Sequence, residues 1–271
     1  MSKTVLITGA SSGIGKQTAL WFQKRGWNVV ATMRSPETAT ELSQLDRVLC
    51  LKLDVTDINS ITLALEQAIA EFGRIDVLVN NAGYGLAGVF EASTIEQVKR
   101  QFATNVFGLM DVTRSLLPHF RQHKGGVIVN VASVGGRVAF PLLSLYHSTK
   151  WAVEGFSESL QHELKPLNIR VKIIEPGPIK TDFYDRSLDL ITNPDITAYD
   201  PIIATVSPNM NRLGQTGYPA ELVAKTIYEA STDNSWRLRY PVGGAAPLLF
   251  LRKLLPDRLF TLIIEQIMLA K

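Results

Sequence analysis

Two hydrophobic patterns alternate along the chain. Short runs rich in β-branched residues, TVLIT (4–8), WNVVAT (27–32), VLCLKL (48–53), IDVLVN (75–80), GVIVNVA (126–132) and IRVKIIE (169–175), are nearly continuous in apolar character, as strands buried on both faces are. Between them lie longer segments with apolar residues at helical spacing. One runs from the first strand to about Arg25, and others cover Glu37 to Leu45, Asp57 to Phe72, Thr94 to about His123, and Leu145 to Leu164. Strands alternating with helices of this length predict βαβ units. Right-handed crossovers then give an α/β, doubly wound parallel sheet flanked by helices, with ligands expected at the carboxyl ends of the strands.

After Glu175 the pattern loosens. Residues 176–218 carry several prolines and asparagines (EPGPIKTDF, ITNPD, VSPNMN) without clear periodicity, and an interval this long reads as a substrate loop or lid. A helix near Pro219 to Ala230 and a strand near Trp236 to Pro241 follow, and then a tail over 244–271. In the tail Leu259, Phe260, Ile263, Ile264, Ile267 and Met268 form an amphipathic stripe. Docking on the protein's own core or on a second subunit is the expected use of that stripe, ahead of covering a cleft or lying on a membrane. The chain reads as a single domain over 1–271.

Composition narrows the function classes. With 271 residues, 46% hydrophobic and 20% charged, the chain can bury a sizeable core. A formal net charge of +3 with interspersed signs shows no nucleic-acid footprint. No stretch reaches the roughly 18 uncharged apolar residues of a membrane span. Cys50 is the sole cysteine and reads as a buried strand thiol. The opening MSKTVLITGA does not resemble a signal peptide, so a soluble, reducing compartment, the cytoplasm, is expected. The four histidines have no metal-ligand spacing.

TGASSGIG (8–15) lies directly between the first strand and the first helix. Glycines there permit a tight turn and let backbone N–H groups approach a pyrophosphate at a helix N-terminus. The second strand ends VVATMRSP: Met33 offers no carboxylate to a ribose 2′-hydroxyl, while Arg34 can pair with a 2′-phosphate and Ser12 can add a hydrogen bond. That favours NADP(H) over NAD(H). Further on, YHSTK (146–150) places Tyr146 and Lys150 one helical turn apart on one face. Such a pair is either an incidental surface pair or a tuned proton donor.

The ordered set TGASSGIG, Asp54-Val55, NNAG (80–83), Asn105, Ser133, Tyr146-x-x-x-Lys150 and PGPIKT (176–181) resembles the short-chain dehydrogenase/reductase family, in its non-extended branch. VATMRSP, NNAGYGLAG and IEPGPI look most like the hydroxysteroid and retinol dehydrogenases and their bacterial relatives. The resemblance implies a Rossmann fold with about seven parallel strands and a homodimer or homotetramer. It implies that Gly9, Ser11, Ser12, Gly13, Ile14 and Gly15 hold the cofactor phosphates and that Asp54 and Val55 hold the adenine. Asn81, Ala82 and Gly83 would line the groove, and Pro176, Gly177, Ile179 and Thr181 would bracket the nicotinamide. Tyr146 would be the proton donor and Lys150 its electrostatic partner and a grip on the ribose. Ser133 would bond the oxyanion and Asn105 would position a water.

The positions after Tyr146 read His-Ser-Thr where the family commonly has smaller residues, which suggests a narrower or more polar entrance. Greasy residues near the site, Tyr84, Leu86, Phe140, Leu142 and Leu143, suit a lipophilic carbonyl or alcohol but equally suit plain packing. The expected activity is reduction of a lipophilic ketone or aldehyde. A non-catalytic NADP-binding sensor, or an epimerase or dehydratase on the same scaffold, are the alternatives.

Overall fold

In the computed structural model, which describes residues 2–181 and 188–269, the alternation closes into one seven-stranded sheet. Its strands are β1 (Thr4–Thr8), β2 (Asn28–Met33), β3 (Val48–Lys52), β4 (Val77–Asn80), β5 (Gly126–Val131), β6 (Ile169–Pro176) and β7 (Arg239–Val242). Their spatial order is β7-β6-β5-β4-β1-β2-β3 and every pairing is parallel. The carboxyl ends therefore lie along one edge. The winding direction reverses between β1 and β4, which is where a doubly wound sheet opens a crevice.

Alternation along each strand divides the core between two faces. Val5, Ile7, Val29, Val79 and Val129 pack with Phe22 of α1 (Gly13–Gln23) on one side. Leu6, Val30, Leu78 and Ile128 pack with Ile61 of α2 (Ile58–Phe72) and with Phe120 and Leu160 on the other. Asp57 caps α2 by accepting from the Asn59 and Ser60 N–H groups.

The segment expected as one helix over 94–123 is α3 (Ile95–Phe102) and α4 (Leu109–Gln122), joined by a widened π-helical turn over Ala103–Gly108. A capping box, Thr94 with Gln97, starts α3. The helix expected over 37–45 is instead two isolated 3₁₀ turns, Pro36–Thr38 and Leu42–Gln44. Thr38 and Ser43 donate their hydroxyls to the backbone carbonyls of Ser35 and Thr40, diverting local bonding from a helical ladder. Next comes α5 (Ser144–Leu164), the longest helix described.

Part of the 176–218 interval, residues 182–187, lies outside the described residues. The rest is more ordered than its prolines suggest, for Asp200–Gln215 is a helix, α6. Pro201 sits in the first turn of α6, where its missing N–H costs nothing, and Pro208 is tolerated inside. Ile179–Lys180 pairs with Tyr218–Pro219, and Gly85–Ala87 pairs with Leu188–Leu190. Then follow α7 (Ala220–Thr232), α8 (Ala245–Leu254) and α9 (Asp257–Leu269). The apolar stripe of α9 docks on the protein itself: Phe260, Ile264 and Met268 are buried with Val206 and Met210 of α6. Leu259 and Ile267, expected in the same stripe, face outward. Asn209 Nδ2 donates to the Met268 carbonyl (3.0 Å) and fastens α6 to α9.

Candidate active site

The glycine loop occupies the carboxyl end of β1. Gly9 and Gly13 have φ of 67° and 52°, a left-handed region that favours glycine. A Cβ on Gly15 would lie 2.2 Å from the Gly9 carbonyl oxygen and 2.5 Å from Asn81 Nδ2. Loop and helix start are thus pressed together at a position that only glycine fits. Ser12 is the N-cap of α1 and makes no side-chain cap bond; Ser11 is exposed and Ile14 is partly buried. The loop is tied to NNAG. Thr8 Oγ1 accepts from the N–H groups of Asn81 (3.0 Å) and Ala82 (3.1 Å), while Asn81 Nδ2 donates to the carbonyls of Thr8 and Gly9. Thr8 was given no role of its own among the expected site residues, although it opens the TGASSGIG run.

Arg34 lies exposed just past β2 and makes no ion pair among the described residues. After β3, Asp54 Oδ1 accepts from the Thr56 N–H and hydroxyl, and Val55 is buried against Gly108. Gly83 leads from NNAG toward Asn105, whose Oδ1 would lie 3.0 Å from a Cβ at that position. Across the crevice, Gly177 follows β6, where its N–H donates to the Val242 carbonyl. A Cβ on Gly177 would meet the Gly243 carbonyl oxygen at 2.2 Å. Ile179 is buried, and Thr181 comes within 3.6 Å of a Cβ built on Gly13. PGPIKT and the glycine loop therefore face each other over the switch point. A glycine turn of left-handed backbone that runs into a helix N-terminus at the switch point fits a nicotinamide dinucleotide.

Tyr146 and Lys150 sit on α5, with Lys150 Nζ 5.8 Å from the centre of the Tyr146 ring. The Lys150 ammonium is buried and donates to the Val131 carbonyl at 2.8 Å. No second protein partner is seen for it among the described residues, so two of its three donors remain for a ribose hydroxyl or the phenol. Burial pulls its pKa down to about 8, against the opposing influence of Glu154. Ser133 Oγ accepts from the Gly135 N–H (3.0 Å), which leaves its own hydrogen for another acceptor. Asn105, in the π-helical turn, is buried. Its Oδ1 accepts from the Tyr84 N–H, and its Nδ2 donates to the Tyr84 carbonyl and to Thr149 Oγ1. One lone pair of that amide is left over. Its other bonds fix the NNAG loop to the helix of Tyr146.

Two expectations need correction. His147 does not line the entrance, for it is buried beneath the loop after β5. There its Nδ1 accepts from the Phe140 N–H (3.2 Å), and burial pushes its pKa down to about 4. The small residues common at this position cannot make that tie. Leu86 is not exposed at the mouth either; it is buried with Leu145 and Ile191 because Gly85–Ala87 is drawn into a short strand pair. Phe140, Leu142 and Leu143 are partly buried against the cluster formed by α6, α8 and α9. Cys50 on β3 is half-buried and free, and burial raises its thiol. No group of metal-binding side chains occurs among the described residues, and no helix described is long and apolar enough to cross a membrane.

The family model described as short chain dehydrogenase matches residues 3–189. An uncharacterised oxidoreductase of Bacillus subtilis, YusZ, is 39% identical over 265 residues, covering 94% of each chain. A 3-ketodihydrosphingosine reductase of Bacteroides thetaiotaomicron is 35% identical over 258 residues, again covering 94% of each. The crystal structure of a short-chain dehydrogenase from Streptomyces avermitilis matches with a TM-score of 0.85 at 34% identity, covering 98% of this chain and 97% of that one. ElxO with NADP bound matches with a TM-score of 0.76 at 31% identity, covering 91% of this chain and 100% of that one. A 3-ketoacyl-(acyl-carrier-protein) reductase from Brucella melitensis complexed with NADH matches with a TM-score of 0.75 at 28% identity, covering 89% and 97%. The chain thus belongs to the short-chain dehydrogenase/reductase family of oxidoreductases.

Proposed function

We propose that this protein is an NADP(H)-dependent reductase of lipophilic ketones or aldehydes, reversible as an alcohol oxidation. The observation that carries the reading is Lys150, a buried cation one helical turn from Tyr146 at the carboxyl edge of the sheet. A fixed ammonium stabilises the phenolate, so the phenol exchanges its proton far more readily than a free tyrosine of pKa about 10. Tyr146 gives its proton to the carbonyl oxygen in reduction and takes one from the alcohol in oxidation. The Ser133 hydroxyl, free to donate, bonds the oxygen as it becomes anionic. Asn105 holds a water with its remaining lone pair. The chemistry that a bound nicotinamide supplies is hydride transfer.

Gly9, Ser11, Ser12, Gly13, Ile14 and Gly15 would hold the phosphates, Asp54 and Val55 the adenine, and Asn81, Ala82 and Gly83 the groove wall. Pro176, Gly177, Ile179 and Thr181 would bracket the nicotinamide, and Lys150 the ribose. Arg34, exposed beyond a strand that ends without a carboxylate, supports NADP(H). NADP in ElxO agrees, although NADH in the Brucella reductase shows that the fold serves both. Apolar Phe140, Leu142 and Leu143 beside the site support a lipophilic substrate, held by a lid drawn from 176–218. The activity named for the Bacteroides relative points to long-chain ketones within that class. Exposed Phe107 and Trp151, on adjoining elements, support a homodimer or homotetramer, and the expected location is the cytoplasm.

The test is NADPH oxidation with a panel of ketones that includes long-chain 3-ketones. Tyr146→Phe should lower kcat by at least about a hundredfold while NADPH binding, followed by fluorescence, persists. Retained NADPH binding with no Tyr146-dependent turnover of any carbonyl would leave a cofactor-binding sensor instead.

A further inference from the structure

Directly behind the candidate catalytic helix lies a set of buried charges that the reading above does not use. Glu154, one turn beyond Lys150 on α5, is 4% exposed, and Glu175, near the end of β6, is 1% exposed. Both lean on Arg239 of β7, whose Nε donates to Glu154 Oε2 at 2.9 Å and lies 3.9 Å from Glu175 Oε1. Arg239 is also claimed by exposed Glu158, at 2.7 Å. The remaining cation close to Glu175 is Arg137, 3.6 Å away, in the loop after Ser133; Arg237 acts on Glu175 electrostatically from farther off. Among the described residues, neither Glu154 Oε1 nor Glu175 Oε1, both buried, has a hydrogen-bond donor.

Two buried carboxylates that share Arg239 with exposed Glu158, and that have Arg137 besides only at 3.6 Å from Glu175, cannot both ionise cheaply. A single proton between them relieves the cost. Burial lifts Glu154 to about 7, with the nearby Glu175 adding to the rise, and burial raises Glu175 as well. The packing puts this charge where Lys150 feels it. Glu154 follows Lys150 by four residues on α5, so the two side chains lie on one face of that helix.

We propose that Glu154 and Glu175 are positioning residues that share one proton beneath the active site, and that the charge of the pair governs how firmly Lys150 keeps its ammonium. As the last shared proton leaves on the alkaline side, the added negative charge falls one helical turn from Lys150. It holds the lysine charged at a pH where burial alone would discharge it, and a charged Lys150 keeps Tyr146 acidic. The step from Lys150 to catalysis rests on the oxidoreductase reading; the shared proton and the Lys150 titration do not.

The test therefore has readouts of both kinds. Infrared difference spectra of the ligand-free protein across neutral pH should show the carbonyl stretch of a protonated carboxylic acid, lost in Glu154→Gln and in Glu175→Gln. In ¹⁵N-lysine NMR the Lys150 Nζ resonance, assigned by its absence in Lys150→Arg, should titrate at lower pH in Glu154→Gln than in the wild type. With a ketone that the wild type reduces, kcat of Glu154→Gln should fall about tenfold at pH 8, the alkaline limb moving to lower pH. No carboxylic-acid band in the wild type, or a Lys150 titration identical in the variant, overturns the proposal. The expected spectra without turnover of any ketone would instead sink the reductase reading and leave the proton-sharing pair in place. Glutamine preserves the shape and the bond to Arg239, and the wild-type spectra decide the first point even if a variant fails to fold.

Discussion

Arg34 sets the clearest test at the scale of single residues. A guanidinium bonded to a 2′-phosphate contributes about 1.5–3 kcal/mol, so Arg34→Ala should weaken NADPH some ten- to a hundredfold and leave NADH nearly unchanged, as measured by fluorescence titration of each. Equal losses would remove the basis for preferring the phosphorylated cofactor. The proposed roles of Arg34, Tyr146 and Lys150 were readable in the sequence because each is a residue type at a fixed distance from a strand end or along one helix. Thr8, His147 and Glu154 were not. Their significance lies in contacts that leave their own element: Thr8 reaching Asn81 and Glu154 meeting Arg239, both far away in sequence, and His147 reaching back to Phe140 in the loop before its helix. Periodicity along one segment does not report such partners. The single-residue fit at Gly177, against the Gly243 carbonyl, was hidden for the same reason.

Among the elements, helices whose apolar spacing is regular were legible, and α2 and α5 begin within a residue of their expected starts. The differences arose where side chains compete with the backbone or where tertiary contacts override propensity. Residues 36–44 break into 3₁₀ turns under threonine and serine bonding, while α6 forms across two prolines because Val206 and Met210 gain a partner in α9. That partnership can be tested. Met268 is 1% exposed, so Met268→Ala should cost about 2–4 kcal/mol in denaturant unfolding and should speed proteolytic cleavage within α6. Unchanged cleavage would mean that α6 stands without the tail. Because α6 and α9 share a cluster with Phe140, Leu142 and Leu143, the tail supports the wall beside the proposed substrate site rather than hanging free.

At the scale of the whole molecule, the doubly wound parallel sheet was legible, since right-handed crossovers leave few windings for alternating strands and helices, while the strand order came from the structure. The charges inside the fold were not legible, and they set how stability responds to acid. His147, held near 4 by burial instead of the usual 6.5, favours the folded state while neutral. That contribution is complete above pH 6.5 and is lost as the pH falls through 4. It amounts to about 3 kcal/mol. Glu154 acts oppositely: raised from 4.5 to about 7, its contribution is complete below pH 4.5 and is lost as the pH rises through 7. Thermal unfolding between pH 4 and 6.5 should therefore be less steep in pH for His147→Asn than for the wild type, and an unchanged slope would place the imidazole in water.

The Thr8 and Asn81 bonds between the glycine turn and NNAG exist in the polypeptide by itself. Under the proposed function these bonds would hold the glycine turn and NNAG, two walls of the dinucleotide crevice, at a fixed spacing.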